Sequence, residues 1–472
     1  MMNNKSKKII LASLIALTLT GSAGITDGLG LNLVQTAEAK TSDGYVELTV
    51  KPEAQAKIDP AELKIPAEVQ LVDSKATPRT AALAAFLQGA GNSKYVLYGH
   101  QNDLHHKVNT ASDNPSDTHD LVGDYPAVVG FDFQALEKGD FDLTEAEAKA
   151  GLTLIEKMAR ICEKGDKDGV IFTATAHMPN FAVVAKRGCQ ADGSWDYTGY
   201  TTPVTEGDVV NRIMPGGDLN EVYRSYMDMM ADFGLRLQQA DIPLIVRLFH
   251  ENDGNWFWWG AAHCSPQQYK NLYRYTVEYL RDVRGVHNFI YAYSPGGPVN
   301  SIDDYKLRYP GDAFVDVLGM DMYHRNPEKD DAFMESFASS IKNISDYTQK
   351  HGKILAVTET GILTDSSAMP NRGNARKDWF REAETVMEKY PVAYFMTWSN
   401  NNANDFDQPY LISANRGHEM INQFVEFYNM PNSVFAAQLP DYCNLKVSVK
   451  PASAYGYILS VLNKLIKESN VS

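Results

Sequence analysis

Two glutamates, Glu251 and Glu359, each stand just after a short apolar run, 108 residues apart. A pair of carboxylates can split a glycosidic bond: one, protonated, helps the leaving oxygen depart, and the other, ionised, attacks the anomeric carbon. Arg247 lies four residues before Glu251 on the same run, so its side chain points to the same side. There it could hold Glu359 ionised, and that negative charge would raise the pKa of Glu251. A core salt bridge with no part in chemistry is the plainer reading of Arg247, and the residues alone leave both open. After Glu251 come Asn252, Asp253, Gly254 and Asn255, then four consecutive aromatics, Trp256 to Trp259. Aromatic planes suit the C–H faces of sugar rings, and an aromatic plug under a loop is the competing use. Trp256 is expected to face a sugar while some of Phe257 to Trp259 pack inward.

Carboxylates so far apart in the chain need a scaffold that brings them face to face. The chain alternates short apolar, β-branched runs with longer amphipathic stretches. Eight runs read as strands of a parallel sheet covered on both faces: 95–98, 127–131, 170–174, 244–249, 289–293, 315–320, 354–358 and 393–397. Helical patterns fill the gaps at 144–163, 219–239, 265–283, 331–351, 374–390 and 418–428. Eight such units predict an α/β fold, a (β/α)8 TIM barrel. An open doubly wound sheet would carry a glycine-rich loop after its first strand, and Tyr98-Gly99-His100-Gln101 is not one. About 40 residues, Met178 to Gly217, separate the third strand from its helix and are expected to wall the cleft.

Barrel enzymes place their chemistry at the C-terminal ends of the strands. The eight ends carry His100-Gln101, Asp132, His177, His250-Glu251, Ser294, Asp321 with Tyr323, Glu359, and Trp398. A histidine at a strand end is more often structural than functional, but polar and aromatic groups on all eight strands converge on one rim.

Arg247-Leu248-Phe249-His250-Glu251, with Gly254, Trp256, Phe257 and Trp258, resembles the acid/base motif of glycoside hydrolase family 26, and Thr358-Glu359-Thr360-Gly361 resembles its nucleophile segment. The likeness covers roughly residues 79 to 440. It implies a retaining β-1,4-mannanase that cuts internal bonds by double displacement, with Glu359 as nucleophile, Glu251 as acid/base, and mannan or manno-oligosaccharides as substrate. It implies that His177 touches the sugar before the cut, Tyr323 holds the nucleophile, Asp321 bonds a sugar hydroxyl and Trp398 underlies the reacting ring. His250, Arg247 and Tyr323 would position Glu359, and Trp256 would bind substrate. Mixed-linkage β-glucan and β-1,3-xylan are the family's alternative substrates. Some members carry an arginine after the eighth-strand tryptophan; Ser399 stands here, which puts tight distal binding in doubt.

A net charge of −15 excludes the basic footprint that nucleic acids and anionic membranes require. Lys5, Lys7 and Lys8 followed by the apolar stretch from Ile9 to about Leu19 read as a secretory signal. Cleavage is expected after Ala37-Glu38-Ala39, or earlier after Ala23. The expected organisation is a signal peptide at 1–39, an extension at 40–78, the barrel at 79–440 and a second extension at 441–472. The product would be a secreted monomer, extracellular or periplasmic, with no cofactor or metal. Val46–Pro52 and Leu445–Pro451 both alternate like half-exposed strands and are expected to pair, tying the termini together. Cys162, Cys189, Cys264 and Cys443 permit no, one or two disulfides, with buried or structural thiols the plainer reading. Two rivals remain: a zinc hydrolase using His100, His177, His250 and Asp321, and a non-catalytic carbohydrate-binding barrel.

Overall fold

The computed structural model describes residues 56–451 except 109–111, 140, 366–367, 401–409 and 413–416, together with residue 51 and two short strands at 37–41 and 44–48. The signal reading at residues 1–39 lies outside the described residues but for its last three. The barrel strands are β1 (Val96–Gln101), β2 (Val128–Asp132), β3 (Ile171–Ala176), β4 (Leu244–Leu248), β5 (Phe289–Tyr293), β6 (Val317–Arg325), β7 (Ile354–Leu363) and β8 (Val392–Thr397). Each pairs in parallel with the next, and β8 pairs with β1, so eight strands close a barrel as the alternation of runs predicts. Every residue of β1 through β5 is buried, which is why these segments read as unbroken apolar runs.

The helix Pro78–Gly91 precedes the first strand and is buried on nearly every face. It shares one apolar cluster with Leu97, Ile171, Ile245, Ile290 and Ile354 of the strands, and so seals the end of the barrel opposite the strand tips. Gly91 permits the approach, since a Cβ there would lie 2.6 Å from the carbonyl of Pro391.

Three expectations change in detail. The helix expected over 144–163 is two helices, Glu145–Lys149 and Leu154–Lys167. Gly151 between them takes the left-handed φ of 75°, and Thr153 caps a fresh start. The helix expected from Asn374 spans only Trp379–Met387, because Asn374 is engaged with Glu419. The C-terminal strand Ser448–Pro451 pairs with Glu68–Leu71, not with Val46–Pro52. The termini are tied, but through a different strand: Val69, Leu71 and Val449 all pack on the apolar surface under the barrel. Residues 44–48 pair instead with 37–41 in a hairpin.

The segment 178–217 contains two short helices, Phe181–Arg187 and Val209–Arg212. The Asn180 amide donates to the carbonyls of Val204 at 2.6 Å and Glu206 at 3.0 Å, and Arg187 donates to those of Asp196 and Thr198. All four cysteines are free thiols: Cys162 and Cys264 are buried, Cys189 and Cys443 exposed. No described helix is long and apolar enough to cross a membrane.

Candidate active site

The turn that carries Glu251 is strained and fully pinned. Phe249 and Glu251 sit at φ of 47° and 48°, a region that side-chain-bearing residues avoid. Tyr269 donates its hydroxyl to the Phe249 carbonyl at 2.9 Å, and the Trp259 indole donates to the His250 carbonyl at 2.8 Å. The Glu251 amide donates to the Ser294 carbonyl at 2.8 Å. Three successive residues are thus held from outside the turn, and the aromatic string after Glu251 supplies one of the ties. Trp258 and Trp259 are fully buried, whereas Trp256 is 45% exposed and donates its indole N–H to Glu251 Oε2 at 2.7 Å. The string divides as its composition predicts.

Arg247 rises from β4 into the barrel axis, only 3% exposed. Its guanidinium bonds Glu359 Oε1, Asp321 Oδ2 at 2.7 Å, Thr175 Oγ1 at 2.9 Å and Ser294 Oγ at 3.2 Å. One side chain therefore joins β3, β6, β7 and the end of β5. Tyr323 donates to the other oxygen of Glu359 at 2.6 Å, and Thr358 donates to Asp321 Oδ1 at 2.6 Å. Both oxygens of Glu359 are aimed by donors.

Glu251 is differently placed. Burial pushes its pKa up to about 7, the negative charge of Glu359 adds to the rise, and Arg247 and the Trp256 indole oppose it. One oxygen each of Glu251, Asp321 and Glu359 lie within 4.8 Å of one another. Among the described residues this is also the set of acidic, histidine and cysteine groups close enough to share a metal ion. A guanidinium already bonds two of the three, which supplies the charge balance a cation would give. His100, from the zinc rival, is turned elsewhere: its Nδ1 bonds Asp103 at 2.6 Å in a buried network with Ser116 and Thr118.

These groups open on a cleft of about 980 Å³ lined by His177, His250, Glu251, Trp256, Asp321, Tyr323, Glu359 and Trp398. Of the nine residues expected in catalysis or substrate binding, Arg247 alone is absent from that lining, since it sits beneath the carboxylates; of the other strand-end groups, His100, Gln101, Asp132 and Ser294 do not line it either. Sequence reasoning missed Tyr200 and Tyr410, which also line the cleft. Tyr200 comes from the 178–217 segment and stands 58% exposed, its ring 5.9 Å from that of His177. Tyr410 lies edge-on to Tyr323 at 5.6 Å. Tyr200 carried a readable signal, an aromatic in a long loop over the strand tips; Tyr410 carried none. The His177 ring meets Trp398 at 5.6 Å and His250 at 4.4 Å. Burial first, and then the charge of Arg247, push the His250 imidazole well below its ordinary pKa, which favours its neutral form.

The family model described as Glycosyl hydrolase family 26 matches residues 72–416. A mannan endo-1,4-beta-mannosidase of Bifidobacterium adolescentis is 36% identical over 347 residues, 70% of this chain and 32% of that protein. One from Bacillus subtilis is 27% identical over 209 residues, 43% of this chain and 51% of that protein. The matching stretch thus spans about a third to a half of these curated relatives. Among solved structures, an endo-beta-1,4-mannanase of Cellulomonas fimi superposes with a TM-score of 0.69 at 32% identity, covering 82% of each chain. The catalytic domain of a Bacillus sp. JAMB-750 endo-beta-1,4-mannanase gives a TM-score of 0.68 at 31% identity, covering 82% of this chain and all of that one.

Proposed function

The chain belongs to glycosyl hydrolase family 26, and from that premise we propose that it is a mannan endo-1,4-β-mannosidase working by double displacement with retention. The observation that carries the reading is the pair of unlike carboxylates across the barrel mouth. Glu251, with its pKa raised to about 7, is the proton donor to the leaving oxygen. Glu359, aimed by Arg247 and Tyr323, is the nucleophile. Glu251 then takes a proton from water, and that water hydrolyses the glycosyl-enzyme. One oxygen of Glu251 and one of Glu359 lie within 4.8 Å of each other, a closeness that supports retention over the wider spacing of about 6.5–9.5 Å between the carboxyl groups of inverting enzymes. Names of relatives from Bifidobacterium and Bacillus support mannan as the substrate.

His177, Trp256, Asp321 and Trp398 bind the sugar chain, Trp398 and Trp256 by their ring faces, Asp321 by its carboxylate and His177 by the ring it turns to the cleft. The basic and apolar residues 5–19 support export.

The test is reducing-sugar release from galactomannan, glucomannan, lichenan and xylan side by side, with rapid loss of viscosity reporting internal cleavage. Preferred cleavage of lichenan or xylan would replace mannan as substrate. Glu359→Ala should abolish turnover and still bind manno-oligosaccharide; unchanged turnover would remove Glu359 from the mechanism.

A further inference from the structure

We propose that Asp132, at the tip of β2, is a positioning residue for the reaction that acts through His177 and His250. The inference rests on the reading of the cleft as that of a β-glycan hydrolase. Asp132 Oδ2 lies 2.6 Å from His177 Nδ1, and its Oδ1 accepts the backbone N–H of His177 at 3.3 Å. On the far side of the same ring, His177 Nε2 lies 3.1 Å from His250 Nε2. All three residues are buried, with His177 facing the cleft.

The proton positions follow from the partners. A carboxylate only accepts, so His177 carries its proton on Nδ1 and leaves a bare lone pair on Nε2. His250 must then donate from its own Nε2, and its Nδ1 is a bare acceptor. That Nδ1 is buried and has no partner, an arrangement tolerable for an acceptor and costly for a donor. The reverse assignment would set a lone pair against Asp132 and bury an N–H on His250 Nδ1 with nothing to receive it. Asp132 thus fixes the tautomer and angle of the histidine that faces the substrate, and through it those of His250, the neighbour of Glu251. His250 is held from the other end by Trp259 on its carbonyl. Asp132 does not itself line the cleft, so its effect on substrate must pass through His177.

Asp132 also caps the short helix Phe133–Leu136 through the Gln134 amide, so a purely structural role is the alternative to separate. A double-mutant cycle does so. Asp132→Asn, His177→Ala and the double variant are assayed on the polysaccharide that the unaltered protein cuts best, with thermal melts of each. Asparagine keeps an acceptor for Gln134 and loses the charge facing His177. The expected result is a fall in kcat of roughly tenfold to a hundredfold for Asp132→Asn, with KM within about twofold. In the His177→Ala background the same change should do nothing further. Losses that multiply, or an unchanged kcat in Asp132→Asn, overturn the inference. Nitrogen-15 spectra of the unaltered protein judge it independently: His177 should carry its proton on Nδ1, and finding it on Nε2 instead overturns the inference even if every variant misfolds. Failure to cut any of the four polysaccharides would sink the proposed function and leave the tautomer measurement standing.

Discussion

At the scale of single residues, the structure sets two glutamates in unlike surroundings, Glu251 buried beside a like charge and Glu359 held by Arg247 and Tyr323. Glu251 is pushed up to about 7 mainly by burial, with Glu359 as its second cause. In the proposed mechanism only protonated Glu251 can help the leaving group depart, so kcat/KM should fall as pH rises above about 7. Replacing Glu359 by glutamine removes a like charge, so the titration midpoint of Glu251, followed by NMR, should move down. A midpoint that stays or rises would mean Glu359 does not act on it. The sign for stability is equally definite. A carboxyl raised in the fold contributes stability below its ordinary value near 4.5, and loses that contribution as pH climbs through about 7. Glu251→Gln should therefore raise the melting temperature at pH 8 more than at pH 4, whereas an equal shift at both would place the strain elsewhere. Both glutamates were legible in the sequence because each follows an apolar run at a strand tip. Asp132 was legible only as a strand end, since its partner His177 lies 45 residues away and the contact exists only once β2 and β3 pair.

At the scale of elements, strands were easier to read than their neighbours. Parallel strands buried on both faces leave continuous apolar runs, and all eight fell where those runs lie. Helix limits were less legible because one glycine, Gly151, can break a pattern that is otherwise continuous. The strand pairing under the barrel was misread because alternation reveals which residues a strand buries and not which edge it meets. The most demanding element is the turn after β4. Its two left-handed residues cost of order 1–3 kcal/mol each and persist only where surroundings over-determine them. Trp259 is one such determinant. Trp259→Phe keeps most of the ring and strips the donor from the His250 carbonyl, leaving it buried and unpaired. A loss of about 1–3 kcal/mol is expected from denaturant titration, together with a fall in kcat as the turn relaxes. A stability loss with kcat untouched would show that Glu251 is held without this tie. The 178–217 segment answers to the same logic: Asn180→Ala frees the carbonyls of Val204 and Glu206 and uncaps Phe181–Arg187. It should cost about 1 kcal/mol and, by loosening the strand of chain bearing Tyr200, raise KM more than it lowers kcat.

At the scale of the whole molecule, the barrel separates its tasks by end. The strand tips hold the carboxylates, the histidine pair and the exposed Trp256. The opposite end holds the buried helix Pro78–Gly91 and the parallel pair of Glu68–Leu71 with Ser448–Pro451. Tyr442 joins these parts: it is 7% exposed and stacks on Phe86 of that helix with centroids 5.1 Å apart and planes 15° from parallel. Truncating it removes a large buried ring and the stacking partner of Phe86, and cores lose about 3–5 kcal/mol on such changes. The site should not feel the loss, because the strands between the two ends are hydrogen-bonded into a closed ring and each remains paired on both sides. Tyr442→Ala should therefore lower the melting temperature by several degrees while kcat, KM and the pH profile at 25 °C stay those of the unaltered protein. A fall in kcat at a temperature where the variant is fully folded would mean that the sealing helix helps set the register of the strand tips, and that the two ends of the barrel are not independent.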